Sequence, residues 1–221
     1  MPYKLLFPAL ALALILAAPA AAAELATVKL PPPDFNAPGK TVIQALRDRK
    51  SDRVFAETPL SPKQLSEVLW AAGGINRPEI PEGGPGRTAP TSHNLQPLDI
   101  FAVTKEGVYK YDPKGHELQP VTAGDHRASA GVQAYVASAP LNIIYVANLN
   151  KLRGEDDPEK QSAANIDLGH MSENVYLYCA SAGLNVIART SIEPALLSTL
   201  LKLDENFLPL MGQTVGYPAA K

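Results

Sequence analysis

The run Leu141 to Ala147, LNIIYVA, constrains this chain more than any other segment. It is almost continuously apolar and rich in β-branched residues, without the alternation of a strand that has one wet face. That is the pattern of a strand buried on both sides. Such a strand lies in the middle of a sheet, and both faces of the sheet must then be covered by other elements.

The rest of the sequence supplies candidates for that cover. Ser61-Pro62-Lys63-Gln64 is a helix start, with Ser61 as N-cap, Pro62 at the first helical position and Gln64 placed to complete a capping box. Leu65, Val68, Leu69 and Ala72 line one face of this helix, and Gly73-Gly74 stop it. Asn165 to Ala182 carries the longest helical signal, with Leu168, Met171, Val175, Tyr178, Cys179 and Ala182 on one stripe and Gly183 at the C-cap. Leu98 to Val103 and Val108 to Tyr111 read as a hairpin across Lys105-Glu106-Gly107. A helix is expected over Asp125 to Ala137, closed by Pro140, and another over Ile192 to Leu201. Short strands are expected at Asn185 to Arg189 and Phe207 to Val215. Val42, Ile43 and Leu46 form the apolar stripe of a short helix, while Pro78 to Pro90 and Lys151 to Gln161 read as loops. Interleaved helices and strands predict a layered domain of α and β structure.

Two segments stand apart from that domain. Residues 1–23 read as a secretory signal: Lys4 in the n-region, an apolar core from Leu5 to Leu16, and Ala21-Ala22-Ala23 before cleavage at Glu24. Pro8 and Pro19 interrupt a stretch already marginal for the roughly 20 residues of a bilayer span, so the mature chain is expected to carry no membrane span and to be periplasmic or secreted. No Cys follows the apolar core and no Arg pair precedes it, which argues against a lipid anchor and against export in the folded state. Residues 24–40 form a Pro-rich arm with Pro31-Pro32-Pro33 and Pro38-Gly39, extended in character, and the main domain is expected over 41–221.

Composition excludes several classes of function. A formal charge of −2, which becomes −3 when Lys4 leaves with the leader, comes with no concentrated basic face, so nucleic acid is not an expected partner. One cysteine, Cys179, excludes an internal disulfide and any thiolate zinc cluster. His93, His116, His126 and His170 include no pair at helical ligand spacing and no HExxH, so no metal site is expected. No GxSxG elbow marks a hydrolase, and Cys179 falls within an apolar stripe.

Two clusters carry chemistry. In Arg49-Lys50-Ser51-Asp52-Arg53, three cations and a hydroxyl leave a helix end together, which suits a phosphate; the same residues would also serve as a solvated helix end. Pro90, Thr91, Ser92, His93 and Asn94 lie between a Pro/Gly loop and a strand, where amide, imidazole and hydroxyl groups suit the polar edge of a planar heterocycle. A capped turn would use the same residue types.

The order RKSDRVF, LSPKQLSEVLWAAGGINR, GRTAPTSHNLQPLDIFAV, GVQAYVASAPLNIIYVA, DLGHMSENVYLYCASAGLNVIAR and a terminal QTVGYP resembles the nitroreductase-like FMN-dependent oxidoreductase family, in particular its branch related to peptide azoline oxidases (dehydrogenases). The resemblance runs from about Ile43 to Pro218. It implies an α+β fold, a mixed α/β sandwich whose mostly antiparallel central sheet is flanked by helices, assembled as an intertwined homodimer with FMN at each interface. It assigns Arg49, Lys50, Ser51 and Arg53 to the FMN phosphate and pyrimidine side. Pro90 to Asn94, with Asn94 in the family's amide position, would contact the isoalloxazine and ribityl chain from the other subunit. Val186, Ile187, Ala188 and Arg189 would run past flavin N5. The flavin carries the electron chemistry, so no catalytic side chain is implied, and the substrate would be a small or peptide-like molecule. Lys50 stands where Arg is commoner in the family, and only Lys221 follows the terminal VGYP where the family has a basic residue. A protein of this fold that has lost turnover and serves as a periplasmic ligand-binding or partner module is the alternative reading.

Overall fold

The computed structural model describes residues 25–219 apart from Glu82 and Glu155. The expected leader, residues 1–23, lies outside the described residues, as does Lys221. In chain order the elements are β1 (Val28–Lys29), α1 (Val42–Asp48), α2 (Pro62–Gly73), β2 (Ile75–Arg77), β3 (Gly86–Arg87), β4 (Leu98–Val103), β5 (Gly107–Asp112), β6 (Glu117–Ala123), β7 (Leu141–Asn148), α3 (Asp157–Ala182), β8 (Asn185–Arg189), α4 (Pro194–Leu201) and β9 (Phe207–Gly216). Seven strands form one sheet in the order β1-β6-β5-β4-β7-β9-β8, every pairing antiparallel, and β2 and β3 form a separate ribbon. The fold is α+β, with helices on both faces of the sheet.

β7 is the central strand that its composition predicts, with β4 on one side and β9 on the other. Its side chains alternate between two cores. Ile143, Tyr145 and Ala147 pack with Ile100 and Ala102 beneath Val68 and Leu69 of α2 and Leu168, Val175 and Cys179 of α3. Ile144 and Val146 pack with Phe101 and Val103 against Leu197 and Leu201 of α4. Both faces are dry, and this explains the continuous apolar run.

Local signals set most boundaries. Ser61 caps α2 by accepting the Gln64 N–H at 3.2 Å, and Pro62 opens the helix. α3 ends at Gly183, whose φ of +71° is a left-handed conformation that glycine adopts without strain. It begins eight residues before the expected Asn165: Asp156 is its N-cap, accepting the Glu159 N–H at 2.9 Å. The charged stretch after Lys151 hides that start, because its first turns are polar all round.

One further expectation is corrected, and two features lie outside what the sequence pattern suggests. Asp125 to Ala137 is not a helix but two 3-10 turns, Arg127–Ala130 and Ala134–Val136, split at Gly131. The Arg127 guanidinium donates to the carbonyls of Ser138 and Ala139, so the segment folds back around that side chain. β6 was not expected, because Pro120 interrupts its pattern. The sheet tolerates this proline opposite Tyr109, at a register shift and beyond the short reach of β1. Finally, Val42, Ile43 and Leu46 of α1 do not face the core: they are 67%, 75% and 51% exposed, and Ala45 alone is buried. The Pro-rich arm lies along its own chain, with β1 on the edge of β6 and Leu30 in the core. Among the described residues no helix is long and apolar enough to cross a membrane.

Candidate functional site

After α1 the chain runs extended through Lys50 to Val54 and is held beside β8 by its backbone. Asp52 N–H donates to the Val186 carbonyl at 3.0 Å, and Asn185 Nδ2 donates to the Val54 carbonyl at 2.7 Å. Tyr176 of α3 closes the junction from beneath. Its hydroxyl accepts the Ala188 N–H at 2.8 Å and lies 2.9 Å from Ser51 Oγ, while the Arg49 guanidinium stands 5.4 Å from its ring centroid. The basic cluster and β8, separate in sequence, are thereby one surface.

The cations of this surface are unequally committed. Lys50 pairs with Asp52 at 3.1 Å. Arg53 is exposed and makes no hydrogen bond or ion pair among the described residues. It stands at a cavity of about 450 Å³ whose walls include Gln133, Tyr135, Ile187, Ala188 and Arg189, with no carboxylate among them. Arg189 is 6% exposed. Its guanidinium donates to Thr214 Oγ1 and the Ala130 carbonyl, both at 2.8 Å, and to Asn142 Oδ1 at 3.2 Å, so the charge is hydrogen-bonded but faces no acid. Burial pushes its pKa down to about 10, still well above neutrality. Room for it comes from two glycines: a Cβ on Gly131 would lie 2.5 Å from Arg189 Nε, and one on Gly212 would lie 2.9 Å from Arg189 Cζ. Two buried polar atoms in the cavity wall have no partner, Arg189 Nε and Gln133 Oε1. Buried unpaired groups are costly, and a ligand that offers an acceptor and a donor would satisfy both. The residues present therefore fit an anionic ligand with a polar ring edge.

The second cluster is built differently. Ser92–Asn94 is one 3-10 turn, and Thr91 does not cap it: its hydroxyl donates to Asp167 Oδ2 at 2.7 Å. Burial raises the Asp167 pKa, against that hydrogen bond and the nearby His170. Ser92 Oγ lies 2.9 Å from His93 Nδ1. Asn94 donates to the carbonyls of Gly83 and Pro85 at 3.0 and 3.3 Å and accepts from Gln96 Nε2 at 2.6 Å, so its amide ties down the Pro/Gly loop. His93, Asn94 and Gln96 have φ of 49°, 53° and 48°, three left-handed non-glycine residues within four positions. Strain concentrated in this way is typical of segments shaped for contact.

One chain does not bring the two clusters together. Both touch α3, the second at Asp167 and the first at Tyr176, and nine residues of helix separate these points by about 13 Å. The cavity at Pro90 and Thr91 includes no residue of the first cluster, and the cavities at Lys50 and at Arg53 include none of the second. Tyr176, Gln133 and Asp167 are parts of the site that sequence reasoning missed. Tyr176 adjoins an apolar helical stripe, Gln133 lies in the misread segment after Asp125, and the partners that define their roles are distant in sequence.

Comparison with known proteins agrees with this fold. Residues 46–217 match the model of the Nitroreductase family. A nitroreductase-family protein of Methanocaldococcus jannaschii is 30% identical over 173 residues, covering 74% of this chain and 85% of its own. An FMN reductase [NAD(P)H] of Bacillus subtilis is 23% identical over 192 residues, 80% of this chain and 66% of its own. Among solved structures, a nitroreductase-family protein from Ralstonia eutropha superposes with a TM-score of 0.80 at 37% identity, covering 88% of this chain and 90% of that one. A chain of the Escherichia coli microcin synthetase complex shares the fold, with a TM-score of 0.64 at 17% identity over 85% of this chain and 77% of that one.

Proposed function

The chain belongs to the nitroreductase family, and from that premise we propose that it is an exported FMN-dependent oxidoreductase acting on a small-molecule or peptide-like substrate. The observation that carries this reading is the junction of the Arg49–Arg53 segment with β8, beside a cavity to which Arg53 and Arg189 bring positive charge and whose wall holds no acid. Arg49, Lys50 and Arg53 supply charge for a phosphate, and Ser51 adds a hydroxyl. Ile187, Tyr135 and Met211 give apolar and polarisable surface to a flat ring, and Gln133 Oε1 and Arg189 Nε offer an acceptor and a donor to its edge. When bound, FMN supplies the electron chemistry, accepting and returning a hydride. The buried charge of Arg189 favours negative charge on whatever occupies the cavity, because it acts where water cannot screen it. No side chain is required as acid, base or nucleophile.

The same proposal includes a homodimer. Pro90 to Asn94 and the basic cluster are separated within one chain, and the exposed Val42, Ile43 and Leu46 of α1 form an apolar face beside the basic cluster. A partner that covers this face and presents its own Pro90 to Asn94 segment would complete the site. Export rests on residues 1–23, and N-terminal sequencing of the native protein should find Glu24 first.

The test is to purify the native protein, identify its bound small molecule, reduce it without oxygen and add a quinone or nitroaromatic acceptor. Bound FMN that is reoxidised by the acceptor supports turnover. FMN that stays reduced marks a flavin-binding protein without turnover, and a colourless protein that takes up no FMN overturns the proposal.

A further inference from the structure

The arm ahead of α1 precedes the residues that match the family model, which begin at residue 46. It is pinned at both ends. Leu30 N–H donates to the His116 carbonyl at 3.1 Å, and the Pro31 carbonyl accepts from Ser66 Oγ at 2.5 Å and lies 3.0 Å from His116 Nε2. At the far end Lys40 N–H donates to Ser181 Oγ at 3.0 Å. Between these pins the arm is a strap across α2 and α3. Asp34 N–H donates to Glu67 Oε1 at 3.1 Å, and the ring of Phe35, 75% exposed, stands edge-on to Trp70 at 5.3 Å.

Under the strap is a cavity of about 490 Å³, walled by Phe35, Trp70, Leu177, Tyr178, Glu67 and Asn174 among others. It shares no wall residue with the cavity beside β8. The unspent hydrogen-bonding capacity at its most enclosed polar groups is that of acceptors. Glu67 Oε1 and Oε2 each take one hydrogen bond, from Asp34 N–H and the Tyr178 hydroxyl, and each has a lone pair left. Asn174 spends its amide N–H on the Thr88 carbonyl at 3.2 Å, and its oxygen makes no hydrogen bond among the described residues. Asp34 is a second carboxylate in the wall, and among the described residues no Lys or Arg lines the cavity. Lys63, just outside, lies 2.7 Å from Asp34 and 4.0 Å from Glu67. It offsets one of the two negative charges and leaves the other.

A net negative charge, acceptors and aromatic faces together select a donor with a positive charge on an apolar body. The rings attract the cation, the carboxylate takes its N–H groups, and the flanking prolines and alanines receive the hydrocarbon. We infer that the strap, α2 and α3 form a second binding site, for a small organic cation in which a primary ammonium is carried on an aromatic body.

Calorimetric titration of the full-length protein with three probes tests this: phenethylammonium, its neutral isostere 2-phenylethanol, and the anion 3-phenylpropionate. The expected result is one saturable site per chain for the cation, at least tenfold tighter than for the alcohol, and no binding of the anion. Glu67→Gln should erase the preference of cation over alcohol, and Phe35→Ala should weaken the cation at least tenfold. Phe35 is exposed and carries no core packing, so that variant reads the site even where Glu67→Gln perturbs folding. Equal affinity for cation and alcohol, no saturable binding at millimolar probe, or unchanged affinity in Phe35→Ala would overturn the inference. So would a Phe35→Ala variant whose oligomeric state changes in light scattering, which would assign the groove to a second copy of the chain.

Discussion

The Tyr176 hydroxyl touches both the basic segment and β8, through Ser51 Oγ and the Ala188 N–H. Tyr176→Phe removes the acceptor and leaves that N–H without a partner, at a cost of about 1–3 kcal/mol. The expected outcome is a melting temperature lower by several degrees together with weaker flavin retention, measured on the same preparation. A variant that melts like wild type and retains its flavin would show that the hydroxyl does not couple the two segments. At this scale the sequence was legible where charge is the signal. The Arg49–Arg53 segment adjoins Ile187, Ala188 and Arg189, so the residues that the family resemblance groups together are neighbours, and their hold on a flavin is the proposal. The sequence was not legible where the signal is spatial. That Arg189 is buried between Gly131 and Gly212 depends on residues 58 and 23 positions away, and nothing local announces it.

Among elements, the arm is the one most exposed to solution conditions. Its latch is His116, whose ring is held between the Tyr111 hydroxyl at Nδ1 and Ser66 Oγ and the Pro31 carbonyl at Nε2. Burial lowers the His116 pKa, partly opposed by its hydrogen bond to Pro31. A histidine with a depressed folded pKa stabilises the folded arm above the ordinary value of about 6.5, and this stability is lost as pH falls below that value, because the released state takes up the proton more readily. Acidification below about pH 6.5 should therefore loosen the arm and change the fluorescence of Trp70, the single tryptophan, against which Phe35 packs. His116→Gln should flatten this dependence, and an unchanged acid transition in that variant would assign the titration elsewhere. β7 and α2 were legible as elements because burial and capping write directly on local composition. β6 and the Asp125 to Ala137 segment were not, since Pro120 is tolerated only by its place in the sheet and Gly131 is required only by Arg189.

At the scale of the whole molecule, the proposed homodimer rests on the separation of the two clusters along α3 and on the exposed apolar face of α1. Ile43→Asp with Leu46→Asp places charge on side chains that are 75% and 51% exposed, so the fold should persist while light scattering changes from dimer to monomer and flavin is lost. A charged variant that remains a dimer would move the interface away from α1. The topology follows from β7, whereas a site of the proposed kind, shared between chains, would leave no pattern in one sequence beyond the residue types of each half. The central claim is that Arg49 and Arg53 hold a flavin phosphate beside β8, and flavin content per chain tests it most directly, with Arg49→Ala/Arg53→Ala beside wild type and flavin-free melts of both. Two charge-assisted contacts of at least about 1.5 kcal/mol each make binding roughly a hundredfold weaker when both are removed. Wild type should carry close to one FMN per chain and the double variant almost none, with flavin-free melting temperatures within a few degrees of each other, because Arg53 is exposed and Arg49, half-buried beside the Tyr176 ring, loses a cation–π contact of only about 0.5–1 kcal/mol. A wild-type protein that neither carries nor takes up FMN, or a double variant that keeps full occupancy, would contradict the account.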